Sequence, residues 1–180
     1  TERGPVMLHT HRTNDAAEWL FRRGLIPGWE KARVARREAT YGGSRFDFLL
    51  ELSEGRVPAE VKSCTLFGKE MAMFPDAPSE RARRHVLHLA ELGKTGPKPL
   101  VLFLVQSGCM KYFLPDFHTD FDFARALYEV RNHIDIKAVG IEWSQDLVMG
   151  RITREIEVPW DIFARHGIDG GAYLLLLKLD

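Results

Sequence analysis

The chain has 180 residues, of which 45% are hydrophobic and 28% charged, and its formal net charge is zero. These values are typical of one globular domain with a real core. Because the net charge is zero, attraction to an anionic partner has to come from local clusters of charge. No apolar run approaches the roughly 18 residues of a membrane span, and no signal peptide is visible. We therefore expect a cytoplasmic protein without membrane segments.

Two further features concern the cellular setting and the extent of the chain. The two cysteines, Cys64 and Cys109, form no disulfide framework, which fits a reducing compartment. The chain opens on Thr1 rather than Met, so we expect a trimmed piece of a longer protein. The sequence allows a homodimer but does not decide the oligomeric state.

The first third of the chain predicts a helix followed by three strands. Thr13 or Asn14 can cap a helix that ends near Arg23. A strand with a basic exposed face is expected at 31–39. Alternating runs at 45–52 and 57–63 flank a short turn and predict a β-hairpin. In the first of these runs the alternation places four apolar side chains on one face: Phe46, Phe48, Leu50 and Leu52.

The remainder of the chain alternates between strand and helix patterns. After an irregular stretch at 66–78, Ser79 caps a helix to position 92, and a second helix is expected at 120–132. The continuous apolar run at 100–106 is typical of a strand that is buried on both faces. The other expected strands are at 111–114, extending the same sheet, and at 134–143, 152–158 and 172–179. This order predicts an α/β fold with a mixed central β-sheet flanked by helices.

Asp47, Glu60 and Lys62 are charged residues that lie beside core-like side chains in the two strands of the hairpin. Glu60 and Lys62 are two apart on one strand and therefore share a face, while Val61 points into the core. Asp47 lies on the adjoining strand, where it can approach Glu60. Two close carboxylates repel each other unless a cation lies between them, and Mg²⁺ or Mn²⁺ would suit such oxygen ligands, with the Val61 carbonyl as a further ligand. Lys62 would then orient or deprotonate an attacking water. The alternative is a solvated Glu60–Lys62 ion pair on a surface hairpin.

Three segments around these residues resemble one protein family. They are YGGSRFDFLLE at 41–51, AEVKSCTL at 59–66 and MFPDAPSERARRHVLHLAEL at 73–92. Their order and spacing resemble the sugar fermentation stimulation protein family, SfsA, over about 8–158. The resemblance implies a PD-(D/E)XK, restriction-endonuclease-like fold with Asp47, Glu60 and Lys62 at the catalytic positions. It also makes Glu18, in TNDAAEWL, a candidate metal ligand, with Asp15 as its competitor.

The resemblance also implies a domain division. The family's N-terminal OB-like barrel has no counterpart in these residues, so we expect 1–160 to be the nuclease-like domain. Residues 161–180 would be a C-terminal extension that forms either a terminal strand or the start of another domain.

Two basic clusters flank the proposed metal site. Such clusters neutralise phosphates and hold a nucleic-acid backbone in register. A solvated basic face is the alternative for either cluster taken singly. The residues we expect to bind nucleic acid are Arg33, Arg36, Arg37, Arg45, Arg81, Arg84 and His85.

The sequence supports three functions. The first is a Mg²⁺- or Mn²⁺-dependent nuclease that hydrolyses phosphodiester bonds of DNA or RNA. The second, which the resemblance to the SfsA family implies, is a catalytically inactive DNA-binding regulatory protein linked to sugar metabolism. The third is a structural part of a larger assembly.

Overall fold

The computed structural model describes residues 5–7, 12–146 and 149–166. Helices and strands alternate along these residues, as the apolar patterns predict. The helices are α1 (Thr13–Arg22), α2 (Glu80–Gly93), α3 (Phe121–Val130) and α4 (Trp160–His166). The strands are β1 (Arg33–Tyr41), β2 (Ser44–Leu52), β3 (Gly55–Cys64), β4 (Leu66–Phe67), β5 (Met71–Phe74), β6 (Leu100–Val105), β7 (Tyr112–Pro115), β8 (Asp135–Trp143) and β9 (Met149–Glu155).

The main sheet is six-stranded and mixed, in the order β1-β2-β3-β6-β8-β9. Strands β1, β2 and β3 are antiparallel neighbours, β3, β6 and β8 run parallel, and β9 returns antiparallel to β8. This arrangement confirms the expected α/β fold with a mixed central sheet flanked by helices. Strand β9, the last one in the described residues, lies slightly earlier than the expected 152–158.

A second, three-stranded sheet corrects two sequence-based expectations. The stretch at 66–78 is not irregular throughout, because it contains β4 and β5. Strand β7 does not extend the main sheet but pairs parallel with β5, giving the order β4-β5-β7. These strands are only two to four residues long, too short to show a period of their own.

Helices cover both faces of the main sheet, with α1 on one face and α2 and α3 on the other. On one face α1 packs Leu20 and Phe21 against Leu102. On the other face α2 and α3 pack against Val101 and Phe103. Every side chain of β6 is buried, which explains its unbroken apolar run.

Strand β2 departs from regular alternation at Asp47. Phe48 lies in the cluster with α1, whereas Phe46 lies in the cluster with α2, so the expectation that both share one face is wrong. Residues two apart share a face only in a regular strand. Glu38, between the pairs Arg37↔Phe48 and Ala39↔Phe46, has a φ of 48°, and this left-handed residue marks the irregularity.

The predicted N-cap residue is confirmed for α2 but not for α1. Ser79 caps α2, because its Oγ accepts a hydrogen bond from the Ala82 N–H at 3.2 Å. The N-cap of α1 is Arg12, without a side-chain capping bond, so the prediction of Thr13 or Asn14 is wrong. The Asn14 side chain bonds strand β2 instead.

Two expectations concern the ends of the chain and its relation to membranes. None of the helices in the described ranges has the length and apolar character to span a bilayer. The expected strand at 172–179 lies outside the described residues. Of the expected extension at 161–180, the structure describes only 161–166, which belong to α4.

Candidate active site

Asp47 lies where strands β2 and β3 separate. The backbone pairing of the two strands ends at Phe48↔Ala59. Beyond this pair, the side-chain carboxylate of Asp47, rather than a β2 carbonyl, accepts the hydrogen bond from the backbone of β3. Its Oδ2 accepts a hydrogen bond from the Val61 N–H at 2.8 Å. Its Oδ1 accepts one from Nδ2 of Asn14 on α1 at 2.9 Å. Both oxygens are therefore oriented by the fold.

Glu60 lies on β3 with its carboxylate toward α2. Its Oε1 accepts a hydrogen bond from Nζ of Lys62 at 2.6 Å and bonds Nδ1 of His85 at 2.7 Å. The residue is only 4% exposed. The predicted common face of Glu60 and Lys62 is confirmed, as is the core position of Val61. Because Glu60 is buried and the Lys62 side chain is only 16% exposed, the alternative of a solvated surface pair does not describe this ion pair.

The two carboxylates influence each other's ionisation. Burial, followed by the negative charge of Glu60, raises the pKa of Asp47, and the hydrogen bonds from Val61 and Asn14 oppose this rise only in part. Burial also acts to raise the pKa of Glu60, but the His85 bond and the Lys62 charge outweigh it, so this pKa is lowered. Glu60 is thus held as an anion near the half-buried carboxyl group of Asp47.

The carboxylate oxygens at this position are ligands that suit a hard divalent cation. Asp47, which is half-buried, and Glu60, which is buried, supply two carboxylates on adjoining strands, and a cation between them would relieve their repulsion. Among the described residues, no three His, Cys, Asp or Glu side chains are grouped as a metal site. An ion held by two carboxylates would keep several waters, as Mg²⁺ does.

Glu18, the fourth candidate ligand, has cationic partners. Its Oε1 accepts a bond from Arg22 at 2.7 Å and its Oε2 one from Arg37 at 3.0 Å. These partners lower its pKa, chiefly through the Arg22 hydrogen bond. Its competitor Asp15 also bonds Arg37, at 2.8 Å. A metal role for Glu18 stays a prediction.

The predicted nucleic-acid-binding residues divide into paired and unpaired groups. Arg37 is held by Asp15 and Glu18, and Arg45 is paired with Glu38. His85 is bonded to Glu60 and thereby belongs to the carboxylate site. Those without an ion pair among the described residues are Arg33, Arg36, Arg81 and Arg84.

Sequence reasoning does not identify Asn14 as a partner of Asp47, or the contact of His85 with Glu60. The position of Asn14 suggests only a helix cap, and its 33-residue separation from Asp47 leaves no local signal. The contact of His85 is likewise 25 residues away in sequence. Only the packing of α1 and α2 on opposite faces of the sheet brings these partners to the hairpin.

Comparisons with known proteins agree with this architecture. A family model described as "Sugar fermentation stimulation protein RE domain" matches residues 11–146. A sugar fermentation stimulation protein homolog of Clostridium kluyveri is 37% identical over 140 residues, covering 77% of this chain and 61% of the relative. A homolog of Methanothermobacter thermautotrophicus is 37% identical over 122 residues, covering 68% of this chain and 51% of the relative.

A solved structure is similar as well. The structure of Pyrococcus furiosus SfsA in complex with Ca²⁺ superposes with a TM-score of 0.80 at 29% identity, covering 87% of this chain and 68% of that one. The chain covers 61% of the length of the Clostridium kluyveri relative and 51% of the length of the Methanothermobacter thermautotrophicus relative. With its family model, its relatives and its fold in agreement, the chain belongs to the sugar fermentation stimulation protein (SfsA) family.

Proposed function

We propose that this domain is a divalent-metal-dependent nuclease that hydrolyses phosphodiester bonds of DNA or RNA. The observation that carries the proposal is a pair of carboxylates from adjoining strands, the half-buried Asp47 and the buried Glu60, with the Lys62 amine 2.6 Å from Glu60. This order of an aspartate and a Glu-x-Lys run on a hairpin also supports assignment to the PD-(D/E)XK class of folds.

Asp47, Glu60 and the Val61 carbonyl would hold the ion, Mg²⁺ or Mn²⁺. The Pyrococcus furiosus relative, whose structure is a complex with Ca²⁺, supports a site for an oxygen-liganded divalent cation in this family. When bound, such an ion supplies positive charge that stabilises the phosphate under attack.

The residues of the chain have separate roles around this ion. Asn14 and the Val61 N–H fix the two oxygens of Asp47 and so preset its orientation. Lys62, anchored on Glu60 Oε1, presents an amine that orients the attacking water and interacts with its proton. His85 binds the same oxygen and limits the rotation of the Glu60 side chain. The burial of Glu60 and the partial burial of Asp47 strengthen these electrostatic contacts.

The test is cleavage of single- and double-stranded DNA and RNA with Mg²⁺ or Mn²⁺, compared with EDTA. We expect metal-dependent cleavage that falls by about 10²-fold or more in Lys62→Ala, in the range for loss of an acid–base group. Lys94→Ala, which removes the same charge from an exposed i,i+3 pair with Glu91, serves as the control. Cleavage that persists in EDTA, or an unchanged rate in Lys62→Ala, would contradict the proposal.

A second candidate is nucleic-acid binding without turnover, as part of a regulatory function. It is favoured by the engagement of Glu60 Oε1 by both Lys62 and His85, which stabilises the carboxylate without a cation. The names of the relatives, which refer to stimulation of sugar fermentation, fit a regulatory role. If parent and Lys62→Ala bind DNA equally and neither cleaves it, this candidate replaces the first.

A further inference from the structure

A basic pocket opens beside the carboxylate site. Its volume is about 570 Å³, and its lining residues include no carboxylate. One of them, His85, also bonds Glu60, so the pocket adjoins the buried carboxylate of Glu60. The lining residues are Ser44, Arg81, Arg84, His85 and His88.

The helical repeat of α2 explains why four of these residues converge. Positions 81, 84, 85 and 88 are spaced i, i+3, i+4 and i+7, which places them along one face of the helix. The face is anchored to β2, because Nδ1 of His88 bonds Oγ of Ser44 at 2.5 Å. Phe46, two residues further along β2, packs its ring against the rings of His85 and His88.

The turn before Ser44 is held close to the same helix. Gly42 has a φ of 56°, and a Cβ there would meet Leu92 Cδ2 at 2.7 Å and His88 Nε2 at 3.4 Å. The sequence therefore needs glycine at this position to bring Ser44 against His88. One wall of the pocket is built by this contact.

The charge of the pocket is not neutralised from within the described part of the protein. Among the described residues, neither Arg81 nor Arg84 has a carboxylate partner within ion-pair distance. Their neighbour Arg83, by contrast, is paired with Asp122 at 3.0 Å. The unpaired guanidinium groups of Arg81 and Arg84 lie in a pocket that also contains a serine hydroxyl and imidazole rings. This combination suits a phosphate, because each guanidinium presents several hydrogen-bond donors to the phosphate oxygens.

We propose that this pocket binds a phosphate group of the nucleic acid and fixes the strand relative to the carboxylates. The phosphate is either a 5′-terminal monophosphate or an internal diester, since both offer oxygens to the same donors. A phosphate held by Arg81 and Arg84 would set the register of the chain, so that a neighbouring phosphodiester lies at Asp47 and Glu60. The identity of the ligand as nucleic acid rests on the proposed function.

The experiment measures binding in EDTA, where metal-dependent turnover does not contribute. Two 3′-labelled single-stranded DNA oligonucleotides of the same sequence are used, one with a 5′-phosphate and one with a 5′-hydroxyl. The test variant is Arg81→Gln/Arg84→Gln. Its control is Arg125→Gln/Arg56→Gln, which removes the same charge at exposed arginines paired with Glu129 and Glu51. Circular dichroism verifies that both variants are folded.

We expect the test variant to lose affinity by about tenfold or more, and the control to lose less. If the decrease is confined to the 5′-phosphorylated oligonucleotide, the pocket binds a terminal phosphate. If both oligonucleotides bind more weakly, and the slope of log affinity against log salt concentration falls by about one for each arginine replaced, the pocket binds an internal phosphate. A decrease no greater than that of the control would overturn the proposal. Cleavage by the parent under Mg²⁺ is measured separately, so a failed pocket and a failed nuclease are distinguishable.

Discussion

Nδ2 of Asn14 donates a hydrogen bond to Oδ1 of Asp47 across 2.9 Å, and so helix α1 holds the carboxylate at the edge of the hairpin. The other oxygen of Asp47 accepts the Val61 N–H at 2.8 Å. The carboxylate is therefore oriented from two directions by the fold itself. Preset ligands lose less freedom when a cation binds, and residues that orient a ligand affect affinity without touching the ion.

The first prediction concerns Asn14. Asn14→Ala should weaken the affinity for Mn²⁺ by about 10- to 100-fold, because Asp47 would lose one of the two groups that orient it. Isothermal titration calorimetry with Mn²⁺ measures this affinity. Asn132→Ala, at an exposed asparagine after α3, is the matched control and should bind Mn²⁺ as the parent does. Equal Mn²⁺ affinity of Asn14→Ala and the parent would show that the hydrogen bond from Asn14 does not contribute to the orientation of Asp47 for metal binding.

The second prediction concerns stabilisation by divalent cations. A ligand that binds only the folded state at 100 times its Kd adds about 2.7 kcal/mol to the free energy of unfolding. We therefore expect Ca²⁺ or Mn²⁺ to raise the Tm of the parent relative to EDTA. Asp47→Asn/Glu60→Gln should show no such rise, because both carboxylates are replaced.

Differential scanning calorimetry with KCl at matched ionic strength separates specific binding from screening. An equal rise of Tm in the parent and in the double variant would place the cation elsewhere on the protein. This measurement does not depend on turnover, so it tests the metal site even if the chain cleaves nothing.

The third prediction concerns Gly93, the last residue of α2. A Cβ at this position would meet the His133 carbonyl oxygen at 2.0 Å and Pro99 Cδ at 2.9 Å. Gly93→Ala should lower the free energy of unfolding by about 1–3 kcal/mol, because the backbone following α3 would have to move. Gly96→Ala is the control, since its nearest contact is the Leu92 carbonyl oxygen at 3.9 Å. Urea unfolding of both variants is the measurement, and equal midpoints would refute the close approach.

The fourth prediction concerns the two thiols. Cys64 is buried, with Sγ 2.9 Å from the Met73 carbonyl oxygen, and burial raises the pKa of this thiol. Because the thiolate is the reactive form, Cys64 should resist DTNB in the native protein, while the exposed Cys109 reacts at once. We expect one equivalent of thiol to react in buffer and a second in urea.

Cys109→Ser provides the check on this assignment. Its native form should release almost no thionitrobenzoate, and its urea-unfolded form should release one equivalent. Rapid reaction of native Cys109→Ser would show that the cluster around Cys64 opens readily to solvent.

The features that depend on short-range periodicity could be predicted from the amino-acid sequence. The hairpin, the buried strand β6 and the Ser79 cap follow from alternation, apolar continuity and capping chemistry. The common face of Glu60 and Lys62 follows from the period of two in a strand. These signals are local, so neighbouring residues are enough to reveal them.

The side chains from distant elements that meet at the carboxylates could be identified only from the packed fold. Asn14 reaches Asp47 because α1 packs on one face of the sheet, and His85 reaches Glu60 because α2 packs on the other. The irregularity at Asp47 also moved Phe46 to the opposite cluster, against the alternation of its own strand. The pairing of β5 with β7 likewise joins short segments that carry no period. Such contacts depend on how whole elements pack, and packing is a property of the folded chain rather than of any short stretch of residues.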